Sequence, residues 1–168
     1  GGLMMPVYAQ EASDTPALTR PGNVREERQC TGVERRLSTF IDRLTNIKDH
    51  RVAQYRQMHE RLLDLADRLD GQEYDTTQLR SSGAVLKGLI DELEQKYFDV
   101  IGQLEQAQET ACSASKETVL ETIQLAKEYS IETRTIRDEI REHFQVIKQD
   151  VRDLKAQGRQ PTSAPAGE

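Results

Sequence analysis

The stretch LDGQEYDTTQL, residues 69–79, interrupts a chain that is otherwise rich in helix formers. Its glycine suits the left-handed position just after a helix end, where a side chain would be strained. Its second aspartate suits the N-cap of a following helix, with a glutamine three residues later to complete a capping box. The tyrosine before the cap and the leucine after it would form a hydrophobic staple. The stretch therefore predicts a reversal between two long antiparallel helices. The expected turn and cap residues are Gly71, Tyr74, Asp75, Gln78 and Leu79.

Apolar residues recur at alternating steps of three and four along three segments, which is the heptad pattern of coiled coils. These segments predict helices at about residues 24–70, 75–111 and 115–156. In the first, two four-residue steps meet at Arg51, as in a stutter. The expected seam of the first helix is Val33, Leu37, Phe40, Leu44, Ile47, Arg51, Tyr55, Met58, Leu62, Leu65 and Leu69.

The two cysteines provide an independent test of the reversal. Cys30 lies 41 residues before Gly71, and Cys112 lies 41 residues after it. Because each helical residue rises about 1.5 Å, two antiparallel arms of equal length bring both sulfurs to one level, roughly 60 Å from the turn. We expect them to form a disulfide.

A third helix should start just after Cys112, with Ser113 or Ser115 as its N-cap, and run back toward the turn. The predicted fold is all-α: an elongated, up-down-up, antiparallel three-helix bundle of the coiled-coil type. We expect a flexible leader at residues 10–23 and a disordered tail at 157–168. Residues 1–9 end in the small-x-small pattern of a signal peptidase site and are interpreted as the tail of a signal peptide, a disordered apolar tag being the alternative.

Composition limits the possible functions. The 168 residues are 36% hydrophobic and 31% charged, contain no Trp, and carry a formal net charge of -6. That balance suits long amphipathic helices with a narrow core and argues against nucleic acid as a partner, because phosphate contacts need clustered Lys and Arg. No run of about 20 apolar residues is present, so we expect no transmembrane segment. A protein partner is possible, and the sequence does not fix the oligomeric state.

The middle of the rod is the region where the seam is polar. Counting the rise along each helix places a mid-bundle polar belt about 30 Å from the disulfide end. The belt could bind an anion or an amphiphilic ligand, but a polar layer that fixes helix register is the favoured interpretation. The expected belt residues are Arg51, Asp91, Glu94, Tyr97, Ser130, Thr133 and Arg137.

Signals for catalysis, metals and cofactors are absent from the sequence. His50 and His59 are nine residues apart and fall on opposite faces of one helix. His59 and His143 come to similar heights without a fixed carboxylate beside them, so surface histidines are expected and no metal. No phosphate loop or nucleophile elbow is present, so we expect no enzyme and no cofactor. If a partner is recognised at one place, the exposed turn tip at 72–75 is the first candidate, and Tyr129 is the candidate among the tyrosines for an exposed contact.

The spacing of these features resembles a loose group of uncharacterised exported bacterial helical-bundle proteins with two cysteines. The shared features are Cys30, the G-x-x-Y-D-T-x-x-L turn at residues 71–79, Cys112 and a third helix, over about residues 27–155. The resemblance implies export, a disulfide and a coiled coil, and it implies no activity. The function expected is a structural spacer, scaffold or protein-interaction module of the bacterial envelope. The alternatives are a periplasmic binding or chaperone-like module for amphiphilic or unfolded clients and, third, a cytoplasmic coiled-coil adaptor.

Overall fold

A computed structural model describes residues 21–158, with side chains from residue 25 onward. It contains three helices, α1 (Pro21–Asp70), α2 (Thr77–Thr110) and α3 (Lys116–Gln157), and these residues include no strand. The predicted all-α three-helix bundle is confirmed. The expected signal-peptide tail, the leader up to residue 20 and the tail from residue 159 lie outside the described residues. Residues 21–23, predicted as leader, and residue 157, predicted as tail, belong to α1 and α3 instead.

The reversal after α1 is a Schellman motif. Tyr74 donates its backbone N–H to the carbonyl of Leu69, and Glu73 donates to Asp70, at 3.1 and 3.0 Å. These are the 6→1 and 5→2 hydrogen bonds of the motif, and they place Glu73 at the left-handed position. The φ angle of Glu73 is 69°. The prediction that Gly71 takes the left-handed conformation is therefore wrong. Gly71 lies two residues earlier and donates to the carbonyl of Asp67 as a helical residue does.

The start of α2 also differs from the expected capping box. The N-cap position is held by Thr76, whose side chain makes no capping hydrogen bond. The carboxylate of Asp75, one residue earlier, accepts the backbone N–H of Thr77 at 3.0 Å. No hydrogen bond joins Gln78 to Asp75 in the part of the chain described. Tyr74 and Leu79 do pack in the same apolar cluster, so the apolar part of the expected cap is present.

The second reversal lies at the opposite end of the rod. Ser115 caps α3, because its hydroxyl accepts the backbone N–H of Thr118 at 3.2 Å. Beside it, Cys30 and Cys112 form the predicted disulfide, with their Cα atoms 5.1 Å apart. The two segments of equal length between the turn and each cysteine therefore bring Cys30 and Cys112 together, as the sequence predicted.

The seam of α1 lies one residue from the predicted one over much of its length. Phe40, Ile47 and Met58 are 50%, 40% and 41% exposed. When half-buried Val33 and Leu44 are counted with the buried residues, pairs of four-residue steps meet at Leu37 and at Lys48, and not at Arg51. Lys48 is only 9% exposed; its ammonium lies 4.1 Å from the centre of the Phe98 ring, and its stem covers the seam. The buried residues of α1 are Leu37, Ile41, Lys48, Val52, Leu62, Ala66 and Leu69.

The core forms two apolar clusters along the rod. One extends from the turn to the middle and includes Leu79, Leu86 and Ile140. The other fills the half nearest the disulfide and includes Ile41, Leu104 and Ala126. Leu44 is half-buried against both clusters. We call these two parts the turn half and the disulfide half.

Candidate functional site

The mid-bundle polar belt is only partly assembled. Arg51 donates from Nη1 to the hydroxyl of Tyr97 at 2.5 Å, which joins α1 to α2. Tyr97 is 3% exposed, so this bond satisfies a phenol that would otherwise be buried without a partner. Since a buried donor or acceptor left unpaired costs about 1–3 kcal/mol, the pair fixes the register of α1 against α2.

The acidic members of the predicted belt face a different arginine. Arg56 approaches Glu94 at 2.5 Å and Asp91 at 3.4 Å. Lys87 also pairs with Asp91, at 2.6 Å. These groups lie on the exposed flank between α1 and α2, so they form a surface network and not an enclosed pocket. The sequence analysis selected Arg51 by its position in the heptad seam, and Arg56 lies outside that seam.

The α3 members of the belt form a separate group. Thr133 is buried and donates its hydroxyl to the carbonyl of Ser130 at 2.8 Å, within the same helix. The Nε of Arg137 is buried and makes no hydrogen bond to another described residue. Neither Thr133 nor Arg137 hydrogen-bonds to Arg51. The seven predicted residues therefore fall into three small groups.

A second polar group, which the sequence analysis missed, joins α2 to α3. The buried Ser82 donates its hydroxyl to Asp150 Oδ2 at 2.5 Å. His143 donates from Nε2 to the backbone carbonyl of Ser82 at 2.7 Å. His143 and Asp150 are two heptad-related residues of α3, but pairing them with Ser82 requires the register of α2 against α3, which the sequence alone did not supply.

The residue types of this group are those of a serine hydrolase, but its connectivity is different. In such a site the imidazole takes the proton of the serine hydroxyl and a carboxylate orients the imidazole. Here His143 contacts the carbonyl of Ser82, and Asp150 contacts the hydroxyl. The imidazole therefore makes no hydrogen bond to the serine hydroxyl, and the group joins α2 to α3.

The histidines are less exposed than expected. His50 is exposed, but His59 and His143 are half-buried, and His143 holds the contact to Ser82. The described residues hold no group of three or more His, Cys, Asp or Glu side chains placed to bind a metal ion.

An open cleft of about 820 Å³ lies between α1 and α3 at the disulfide end. Its apolar lining comes from Val33 on α1 and from Val119, Leu120 and Ile123 on α3. Charged residues border it, among them Glu27. The cleft is a concave surface of the disulfide half with apolar side chains on its inside.

The turn tip is held by a compact polar network. Arg80 pairs with Asp67 at 2.7 Å, and its Nε donates to the Thr76 hydroxyl at 3.1 Å. Hydrogen bonds from the side chain of Thr77, and then from its backbone N–H, lower the pKa of Asp75 below its ordinary value of 3.8. These contacts hold the base of the tip, whereas residues 71–73 and Asp75 are exposed. Tyr129, the other candidate contact, is half-buried, with the ammonium of Lys96 5.2 Å from the centre of its ring.

Comparison with known proteins identifies no relative: the chain matches no protein-family profile, no curated protein and no solved structure. None of the helices that the structure describes has an apolar run long enough to cross a lipid bilayer.

Proposed function

We propose that this chain is a non-enzymatic helical-bundle protein exported to the bacterial envelope, where it acts as a spacer, scaffold or protein-interaction module. The observation that carries this is the disulfide between Cys30 and Cys112 at one end of a rod whose other end is a compact turn. Structural disulfides persist in oxidising compartments such as the periplasm and are rare in the cytosol. The Ser82 cluster is in keeping with a non-enzymatic role, because its imidazole contacts the Ser82 carbonyl and not the hydroxyl, unlike the base of a serine hydrolase.

Export is tested by the redox state of the protein in its own cells. Cells are quenched in acid and thiols are alkylated with a maleimide that adds mass, with and without prior reduction. We expect the label only after reduction, together with recovery in the envelope fraction. Two labelled thiols without reduction would contradict export and favour the cytoplasmic adaptor.

The interaction role is tested by crosslinking in intact cells. A photoreactive residue is placed at exposed Phe40, at exposed Ile131 or at exposed Glu73 in separate variants. A spacer or scaffold should give discrete crosslinked protein bands from at least one position. Protein that stays uncrosslinked from all three positions would contradict the interaction role.

A second candidate is a periplasmic binding or chaperone-like module. The apolar cleft at the disulfide end favours it, because Val33 and Leu120 would contact an amphiphilic or unfolded client there. Suppression of the aggregation of a denatured client by the monomer would support this role. A ligand-dependent rise in melting temperature that Arg51→Glu abolishes would place the ligand in the polar belt instead.

A further inference from the structure

The helices α1 and α3 lie side by side with a groove between them. Both pack on α2, and no Cα atom of α1 lies within 8 Å of a Cα atom of α3 among the described residues. Side chains bridge the gap in the turn half, where the rings of Tyr55 and Phe144 are 6.3 Å apart. In the disulfide half the groove widens into the cleft lined by Val33 and Leu120.

A basic stripe on α3 borders this groove. Leu120, which lines the cleft, begins a row of residues at intervals of seven, so the row stays on one flank of the helix. Each later member directly follows a buried seam residue such as Thr133 or Ile140. All of them are exposed and basic: Lys127, Arg134, Arg141, Lys148 and Lys155.

A matching stripe on α1 borders the other side. Each of its basic members comes one position before a leucine that is buried or half-buried: Leu37, Leu44, Leu62 or Leu69. They lie on the same flank of α1 as Val33, which lines the cleft. Positions 29, 50 and 54 of this stripe are Gln, His and Gln, so it contains no acidic residue. Its exposed basic members are Arg36, Arg43, Arg61 and Arg68.

Half-exposed apolar side chains lie between the two stripes. Phe40 and Ile47 are seven residues apart, and Met58 follows after eleven, so all three share the flank of α1 that faces the groove. On α3, Leu120 is 53% exposed and provides an apolar side chain at the disulfide end of the row that continues as the basic stripe. The groove therefore has apolar side chains along its inside and basic side chains along both edges.

Apart from Glu26 and Glu27, which line the cleft, the carboxylates that pair between helices lie on the other flanks. The ion pairs between helices all involve α2 among the described residues: Arg56 with Glu94, Arg80 with Asp67 and Lys96 with Glu132. The bond to Glu132 raises the pKa of Lys96. Of the nine basic residues in the two stripes, Arg141 alone has a described carboxylate within 4 Å, that of Asp138 on its own helix. In a chain of net charge -6, this face carries uncompensated positive charge.

We propose that the groove between α1 and α3 docks an amphipathic helix of a partner protein, with apolar residues on one side and acidic residues on both flanks of that side. The partner would complete a four-helix bundle, its apolar side chains meeting Phe40, Ile47 and Leu120 and its carboxylates meeting the two stripes. A bilayer fits less well, because a membrane-binding face presents its apolar side chains fully, whereas these are half-covered. This docking role rests on the proposed interaction function and names its site.

The first experiment measures binding to the full disulfide-bonded chain with three synthetic helical peptides of about 28 residues, long enough to cover four heptads. One has a Leu seam with Glu flanks, its twin has Lys flanks, and the third is a scramble of the Glu peptide that keeps its charge but loses its apolar side. We expect binding of the Glu-flanked peptide alone, weakening as salt rises. Equal binding of the scramble, or binding of phosphatidylglycerol vesicles without the peptide, would overturn the proposal.

The second experiment reverses charge at the groove edge. Arg43→Glu together with Arg134→Glu should weaken binding of the Glu-flanked peptide about tenfold and allow the Lys-flanked twin to bind. The matched control is Arg35→Glu with Arg152→Glu, two exposed residues of the same helices outside the stripes. Circular dichroism and melting temperature verify the fold of both. Equal loss in the control would overturn the site, while crosslinking of the native protein in the envelope would still uphold the proposed function.

Discussion

The turn half and the disulfide half share one three-helix architecture but are stabilised in different ways. The largest fully buried side chains, among them Leu86, Ile90 and Ile140, all belong to the turn half and are at most 1% exposed. In the disulfide half, α1 contributes Leu37 and Ile41, which remain 9% and 8% exposed. The largest fully buried side chains therefore lie in one half, and the covalent cross-link between helices lies at the end of the other, so we expect the disulfide half to rely more on that link.

Removing the disulfide should have the largest effect. In the chain-entropy model, a link across a sequence separation of 82 residues stabilises the fold by about 4.5 kcal/mol. We expect Cys30→Ser with Cys112→Ser to lower the free energy of unfolding in urea by about that amount. Limited trypsin digestion should then cut first after Arg25 or Arg28, since residues 25–29 are all exposed. Equal early cutting in the turn half would contradict the comparison.

Core truncations should separate the halves next. Leu86→Ala removes a side chain with no exposed surface and should cost about 4 kcal/mol, whereas Leu37→Ala should cost about 2 kcal/mol. Urea denaturation of the disulfide-bonded protein gives both values. Val85→Ala, at a residue that is 50% exposed, is the control and should change stability by less than about 0.5 kcal/mol. Equal losses at Leu86 and Leu37 would show that the halves pack alike.

The Schellman turn offers a gain in stability within the turn half. Glu73 has a φ of 69°, which costs a residue with a Cβ about 1 kcal/mol or more. Glu73→Gly should therefore raise the free energy of unfolding by about 0.5–1 kcal/mol, net of the greater freedom of glycine in the unfolded chain. Thermal denaturation measures the change.

The paired variant is Gly71→Ala. An added Cβ would lie 3.5 Å from the carbonyl oxygen of Asp67, an ordinary contact, so a gain of a few tenths of a kcal/mol is expected. If Gly71→Ala lowered the stability and Glu73→Gly did not raise it, the left-handed residue would be Gly71 and not Glu73.

The smallest expected effect is a pH dependence at the start of α2. Thr77 lowers the pKa of Asp75 in the folded chain below 3.8, so the charged form is favoured by folding. This stabilisation is complete above the unfolded pKa and disappears as the pH falls through the folded one. Asp75→Asn should therefore flatten the fall in melting temperature between about pH 5 and about pH 2. Asp42→Asn, at an exposed residue, is the control; an identical curve for both variants would exclude Asp75 as a source.

The helices and the disulfide could be predicted because they depend on spacing. The heptad steps and the equal arms on either side of the turn are properties of the chain alone. The position of the left-handed residue is not a property of spacing. It is set by the hydrogen bond from the Tyr74 N–H to the Leu69 carbonyl, which requires Glu73 to take the left-handed conformation. The presence of Gly71 near the helix end therefore led to the wrong position for the left-handed residue.

The seam of α1 and the polar contacts were harder to predict. Phe40 and Ile47 fit a heptad as well as Ile41 and Lys48 do, and only the placement of α2 decides between them. Lys48 is buried because its ammonium lies over Phe98, a contact between helices that one helix pattern does not encode. The contact between His143 and Ser82 could not be predicted for the same reason: it depends on the register of α2 against α3.

An odd number of helices has a geometric consequence for this rod. The chain enters α1 beside the disulfide and leaves α3 beside the turn, and the 42 residues of α3 span about 60 Å. A group attached before α1 and a group attached after α3 would be held at opposite ends of the rod, separated by about its length. Because the cross-link fixes α1 to α2 at one pole, tension applied between the two attachments would be carried first by α3.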